Sequence, residues 1–392
     1  MDDKGLIEVI EELLPQAART LGLPILGRLE AADGIKDIWM LAQPLVTALE
    51  AHPEFSEQFD RFFMGKQLCY SPRQQAPNLL RFAVREGALK AVDWLRRILR
   101  VTKTDIRVIG KVYGLFLREP VRFSNGMTLL NVSDLPDSPN SESLKQGVVL
   151  GPGMAFPSAL MMEHSDVCDE PHAEGHAKFL AVAREMRRLA IAVTLSDDNA
   201  SPIVTETWQE FADPDLQASE IGRIWHQNLT EGLIPDFGKN LTEEAVAWVN
   251  RFVSLPTSVS APCEVPLTRL NMARRRHSAG DKALDGCICL ESLLSGDGRG
   301  DLTHRVSLRT ALLLGKTLDE RRNIVKSIKK FYELRSAVVH GGTEKNSAKD
   351  CAVASEGLRL CLLAIQEIVL NGEVPNPSEW ELSGGPSWNR PA

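Results

Sequence analysis

Apolar residues recur at helical spacing through Ile324, Ile328, Phe331, Leu334, Val338 and Val339, and this run is closed at both ends. The acidic pair Asp319 and Glu320 opens it, which suits the positive end of a helix. Gly341 and Gly342 stop it, as expected after a C-cap. Three neighbouring stretches share the pattern. Residues 267–295 carry Leu284, Ile288 and the run from Leu290 to Leu294; residues 302–315 carry Leu308, Ala311, Leu312 and Leu314; residues 347–370 carry Val353, Leu358, Leu360, Ile365 and Ile368. Four such helices with short connections predict an antiparallel bundle.

The rest of the 392 residues reads differently. Leu6, Ile7, Ile10, Leu13 and Leu14 predict a helix that stops before Pro15, and residues 79–98 predict a second, with Gly87 inside it. Residues 106–117 fit a helix or a short strand. Prolines, glycines and short apolar runs over 118–160 predict strands and loops. Helix returns over 173–195, and 196–220 reads as a loop with one short element around Trp208 and Phe211. The fold class expected is α+β: a mixed, mostly helical N-terminal region with a short strand-rich part, then an all-α antiparallel bundle. The expected divisions are 1–250, a sensing or regulatory region; 251–371, the helical domain; and 372–392, a loose tail with four prolines.

Charge follows the same division. Between 265 and 345, 16 Lys and Arg stand against 9 Asp and Glu, whereas the remainder carries 29 against 43. A basic module on an acidic body permits local contact with a phosphate backbone although the net charge is -7. Seven cysteines without a CxxC pair favour a reducing, cytoplasmic setting. No uncharged apolar run reaches the roughly 18 residues of a membrane span. The acidic N-terminus reads as a helix start and not as a signal peptide. No Walker-type phosphate loop and no GxSxG is present.

Within the basic module, Arg335 and His340 flank a small apolar patch in RSAVVH. Five residues of helix give about 7.5 Å of rise and roughly 140° of rotation. The pair therefore meets one phosphate only at a frayed helix end or across a twofold dimer. A neutral histidine can take a proton from a 2'-hydroxyl or return one to a leaving oxygen. An arginine can clamp the phosphate with two donors. Ser336 shares the His340 face and could position a phosphate oxygen. Tyr332 could assist or stack on a base, and Lys326, Lys329 and Lys330 could hold the backbone. Arg274, Arg275 and Arg276, with His304, extend a positive groove or simply face solvent. The bland alternative is an Arg335 paired with a carboxylate, a His340 capping the helix end and a packed Tyr332.

The ordered runs DKALDGCICLESLL, HRVSLRTALLLG and RRNIVKSIKKFYELRSAVVHGG resemble the Apea-like branch of the HEPN superfamily over about 265–370. The resemblance implies that Arg335 and His340 are a ribonuclease pair, Ser336 its polar companion and Glu291 the acidic residue of the first core helix. It also implies RNA as substrate, a composite site in a homodimer, no cofactor, and a place in toxin–antitoxin or anti-phage defence, with a regulatory protein partner possible. Other members keep the bundle for binding or assembly without cleavage. Glu291 could orient Arg335 or His340, or bridge to Arg305 or Arg309; Asp285 has the same ambiguity. A competing reading rests on His164, Cys168, His172 and His176, at intervals of four, as zinc ligands; Pro171 and Gly175 make a polar loop the alternative.

Overall fold

The computed structural model describes residues 1–21, 38–59, 61–63, 68–147, 158–168, 172–196, 200–219, 224–227, 235, 238–296, 301–339, 347–374 and 376–387. The N-terminal region begins with helices α1 (Asp3–Leu21), α2 (Gln43–Glu50), α3 (Pro53–Ser56), α4 (Pro72–Glu86) and α5 (Ala88–Leu99). A small antiparallel pair, β1 (Arg61–Phe63) and β2 (Leu68–Tyr70), lies among them. α1 does not stop at Pro15. One face buries Leu6, Ile10 and Ala17, and this packing carries the helix past the lost N–H. The amphipathic run at 79–98 is two helices, because Gly87 turns the chain at φ +92° and caps α4. Arg96 ties this corner together, donating to Glu54 at 2.8 Å and to Asp3 at 3.0 Å. Its guanidinium holds the Glu54 carboxyl below the usual carboxylate range.

A six-stranded antiparallel sheet follows, in the order β5-β6-β7-β3-β8-β9. Its strands are β3 (Lys103–Tyr113), β5 (Val121–Arg122), β6 (Thr128–Asn131), β7 (Ser158–Val167), β8 (Ile203–Phe211) and β9 (Ile224–Gln227), while β4 (Leu115–Phe116) pairs in parallel with β10 (Lys239–Asn240). The stretch 106–117 is therefore strand over 106–113 and 115–116. β3 is buried on both faces, with Val108 and Val112 on one side and Ile109 on the other. Helix α6 (Pro139–Gly147) follows β6, and the second face is filled by Ile109, Leu130, Trp208 and Leu144. Helix α7 (His172–Ala192) covers the first face, where Gly110 lets it approach: a Cβ there would lie 2.9 Å from the Met186 sulfur. The short element expected around Trp208 and Phe211 within the 196–220 loop region is the nine-residue strand β8, followed by the one-turn helix α8 (Pro214–Gln217). Its charged residues hid it. Glu210 is fully buried and accepts bonds from Ser138 at 2.9 Å, Asn140 at 3.1 Å and the Trp208 indole at 3.2 Å.

The C-terminal part is all helical: α9 (Glu243–Val253), α10 (Thr257–Arg275), α11 (Ala279–Leu294), α12 (Leu302–Leu314), α13 (Leu318–Val339), α14 (Ala348–Asn371) and α15 (Trp380–Ser383). The stretch expected as one helix over 267–295 is two, broken after Arg275 and restarted by Ser278, whose hydroxyl accepts from Asp281 N. In the last twenty residues Trp380 is buried in the bundle core, and Arg309 holds Glu381 at 3.2 Å. No helix among the described residues is long and apolar enough to cross a membrane.

One core runs from the sheet face (Val108, Leu160) through α7 into the bundle (Leu267, Leu290, Phe331, Ile365). Its tightest point is Phe331. Gly286 on α11 and Gly357 on α14 press on the ring from both sides, and a Cβ at Gly286 would lie 2.5 Å from its Cζ. One at Gly357 would come closer still. Mid-helix glycine costs roughly 1 kcal/mol against alanine, yet here alanine would overfill the core. Gly357→Ala is expected to lower unfolding free energy by about 2 kcal/mol, net of that propensity gain. Urea titration of both proteins measures this, and an unchanged or raised midpoint would refute the wedge.

Candidate active site

The helical repeat of α13 places Ile324, Ile328, Phe331 and Arg335 on one stripe, since eleven residues return to within about 20° of the starting direction. Arg335 thus occupies a core-facing position. Glu291 does the same on α11, one turn after the buried Cys287. The two meet at the seam of these helices: Arg335 Nη1 lies 3.2 Å from Glu291 Oε1, with side chains 30% and 19% exposed. Tyr332 donates its hydroxyl to the same Glu291 oxygen at 3.1 Å. Its ring lies beneath the guanidinium, 5.7 Å from centroid to Cζ.

The surroundings set the protonation of this cluster. Burial pushes the Tyr332 hydroxyl far up, and the Cys287 thiol and Glu291 carboxylate push it further, so Tyr332 remains a donor. Burial likewise raises the Cys287 thiol, helped by Cys361 and opposed by Arg335. Glu291 accepts two bonds on one oxygen. Arg335 gives it one contact, and its Nε is buried without a hydrogen-bond partner. The guanidinium is therefore held by Glu291 on one side and by the Tyr332 ring on its face.

Among the described alternatives for Glu291 (Arg335, Arg305 and Arg309), the bond to Arg335 is the one formed. Arg309 donates instead to the Leu294 carbonyl at 2.9 Å, and the Nε and Nη1 of Arg305 are buried without partners. Asp285 resolves as structural: buried to 2% exposure, it takes Arg269 at 3.0 Å and Arg276 at 2.8 Å. Arg274 donates to the carbonyls of Thr194 at 2.9 Å and Ala200 at 3.0 Å, and Arg275 is buried, its Nε on the Asn271 carbonyl. This triplet is thus engaged internally and is not gathered at Arg335. Lys326, Lys329, Lys330 and Ser336 are exposed on the outer side of α13, and His304 is exposed on α12. His340 lies outside the described residues, next after Val339, the last residue of α13. Cys287 was missed by sequence reasoning; its place four residues before Glu291 was the available signal.

Among the described residues, the proposed zinc ligands His164, Cys168 and His176 are not brought together. His164 and Cys168 fall on and just after strand β7, where four residues span about 13 Å. Zinc ligands sit about 2.0–2.3 Å from their metal. Cys168 packs into the N-terminal core, His176 is exposed on α7, and the His172 side chain lies outside the described residues. Among the described residues no group of three His, Cys, Asp or Glu could hold a metal ion. No protein-family model, no curated protein and no solved structure matches the chain.

Removing the carboxylate leaves a half-buried arginine and a buried tyrosine unanswered. Glu291→Ala is expected to cost about 1–3 kcal/mol of stability, whereas Glu291→Gln, which keeps an acceptor, loses less in urea unfolding. The raised Tyr332 hydroxyl adds a pH effect. Its stabilising share is complete below the unfolded tyrosine pKa of about 10 and is lost as pH rises above it. Tyr332→Phe should flatten the alkaline fall of unfolding free energy; identical slopes would refute the assignment.

Proposed function

We propose that this chain is an endoribonuclease of the HEPN type, cleaving RNA by 2'-hydroxyl transesterification at a site built on Arg335 and His340. The observation that carries this reading is the Glu291–Arg335–Tyr332 cluster. A charged side chain stands on a core-facing stripe, oriented by two partners, five residues before the histidine. Charge at such a position costs desolvation that an apolar residue would avoid. Its retention in one fixed pose fits a group that must meet a substrate charge. The all-helical C-terminal bundle is consistent with the HEPN fold shape. The exposed Lys326, Lys329 and Lys330 on the same helix suit a phosphate backbone.

In this reaction the 2'-oxygen forms a bond to the adjacent phosphorus while the bond from phosphorus to the 5'-oxygen breaks. A neutral His340 takes the 2'-hydroxyl proton, and a protonated His340 of the partner subunit gives one to the departing 5'-oxygen. Arg335 holds the non-bridging oxygens as charge builds on them. In this reading Ser336, next to Arg335 in the sequence, contacts the same phosphate. The products are a 2',3'-cyclic phosphate and a free 5'-hydroxyl. A homodimer supplies both histidines, which fits a pair set five residues apart in the sequence. The mixed region 1–250 restrains or triggers the site, and toxin–antitoxin or anti-phage defence is the setting proposed.

The test is cleavage of end-labelled RNA in EDTA by wild type, His340→Ala and Arg335→Ala, with matched circular dichroism. Cleavage is expected to fall by roughly 10²-fold or more in each variant, leaving cyclic phosphate ends in the wild-type products. Equal cleavage by all three proteins would sink the assignment. Binding of intact RNA by all three without cleavage would favour a binding or assembly module instead.

A further inference from the structure

Nine residues before Glu291 on α11, half a turn round the helix and about 13.5 Å along it, Lys282 lines a cavity of about 540 Å³. The other walls come from the end of α10, with Arg274, and from α14, with Ser355, Leu358, Arg359 and Leu362. This volume is in the range that takes small organic ligands. Two of the cations are fixed. Arg274 is locked onto the carbonyls of Thr194 and Ala200, and Arg359 is held by Glu356 through bonds of 2.8 and 2.9 Å. Lys282 differs: it is partly buried, and among the described residues its side chain makes no ion pair or hydrogen bond. An ammonium withdrawn from water without a counter-charge is costly, and an anion entering the cavity would offset that cost. Leu358 and Leu362 supply an apolar wall beside the charges. Leu358 also rests near Gly286, where Phe331 is wedged, so the cavity wall continues into the bundle core.

We propose that this cavity binds a small organic phosphate, with the phosphate monoester at Lys282 and Arg359 and an apolar or aromatic body on Leu358 and Leu362. Three cationic side chains from three helices suit a group carrying about −1.5 to −2 charges better than a carboxylate's single charge. Polynucleotide backbone contacts are made by polar and charged groups, so the leucine wall favours a compact amphipathic ligand over an RNA strand. This site stands apart from the proposed cleavage site, and Lys282 and Ser355 belong to no part of that machinery.

Isothermal titration calorimetry on the full chain tests the proposal with 1-naphthyl phosphate as probe, and with inorganic phosphate and 1-naphthol as its halves. The expected result is saturable 1-naphthyl phosphate binding, tighter than either half. Lys282→Gln, which removes the charge, and Ser355→Trp, which fills the space from an exposed position, should each weaken it about tenfold. Both variants must match wild type in circular dichroism. No binding of 1-naphthyl phosphate at millimolar concentration would overturn the proposal, as would binding that neither variant changes. A Lys282-dependent affinity for a single-stranded oligoribonucleotide, with none for 1-naphthyl phosphate, would also overturn it and make the cavity part of an RNA track.

Discussion

The bundle is organised by the contact of one aromatic ring with two glycines. Phe331 enters the gap between α11 and α14 because Gly286 and Gly357 present no side chain there. Interhelical distance follows the size of the residues at the crossing, so this contact brings α13 close to α11 along their shared seam. One turn further on, Arg335 then meets Glu291, and Tyr332 reaches the same carboxylate oxygen. The polar cluster is thus a consequence of apolar packing. Interiors are close-packed and yield little, so the guanidinium inherits its position from a ring it does not touch.

The basic surplus of the C-terminal part divides into two physical roles. Arginines at the end of α10 are used inward: Arg274 on carbonyls, Arg276 with Arg269 on the buried Asp285. Lysines on α13 point outward into solvent. This division follows side-chain chemistry. A planar guanidinium can satisfy several acceptors at a buried joint, whereas a strongly hydrated ammonium is cheaper to leave in water. A count of charges cannot separate the two roles, because burial depends on how helices cross.

Helices α11 to α14 were legible in the sequence because each carries an apolar stripe, whereas α9, the start of α10 and α15 were not read as helix. The break between α10 and α11 was signalled less clearly, by Ser278 three residues before Asp281. Strand β8 was obscured because Thr205, Glu206, Gln209 and Glu210 read as polar loop. In the fold Glu210 is covered, and one of its oxygens accepts from Ser138 and Asn140, some seventy residues away. Pro15 misled in the opposite sense, since a buried helix face outweighed a local breaker. For the site, residue types and order were legible, and the choice of partner for Glu291 was not. Arg305, Arg309 and Arg335 are equivalent in a sequence, and only the Phe331 wedge selects among them.

The short connection between α7 and β8 has a mechanical meaning. Asn271 and Arg274 from α10 and Gln366 from α14 grip the Leu195, Ala200 and Pro202 carbonyls together with both oxygens of Thr194. Apolar faces can slide over one another, but hydrogen bonds to fixed carbonyls resist sliding and transmit torque. Sheet and bundle are therefore geared at this connection. The bond from Gln366 to the Leu195 carbonyl ties this connection to the helix that carries Gly357 against Phe331.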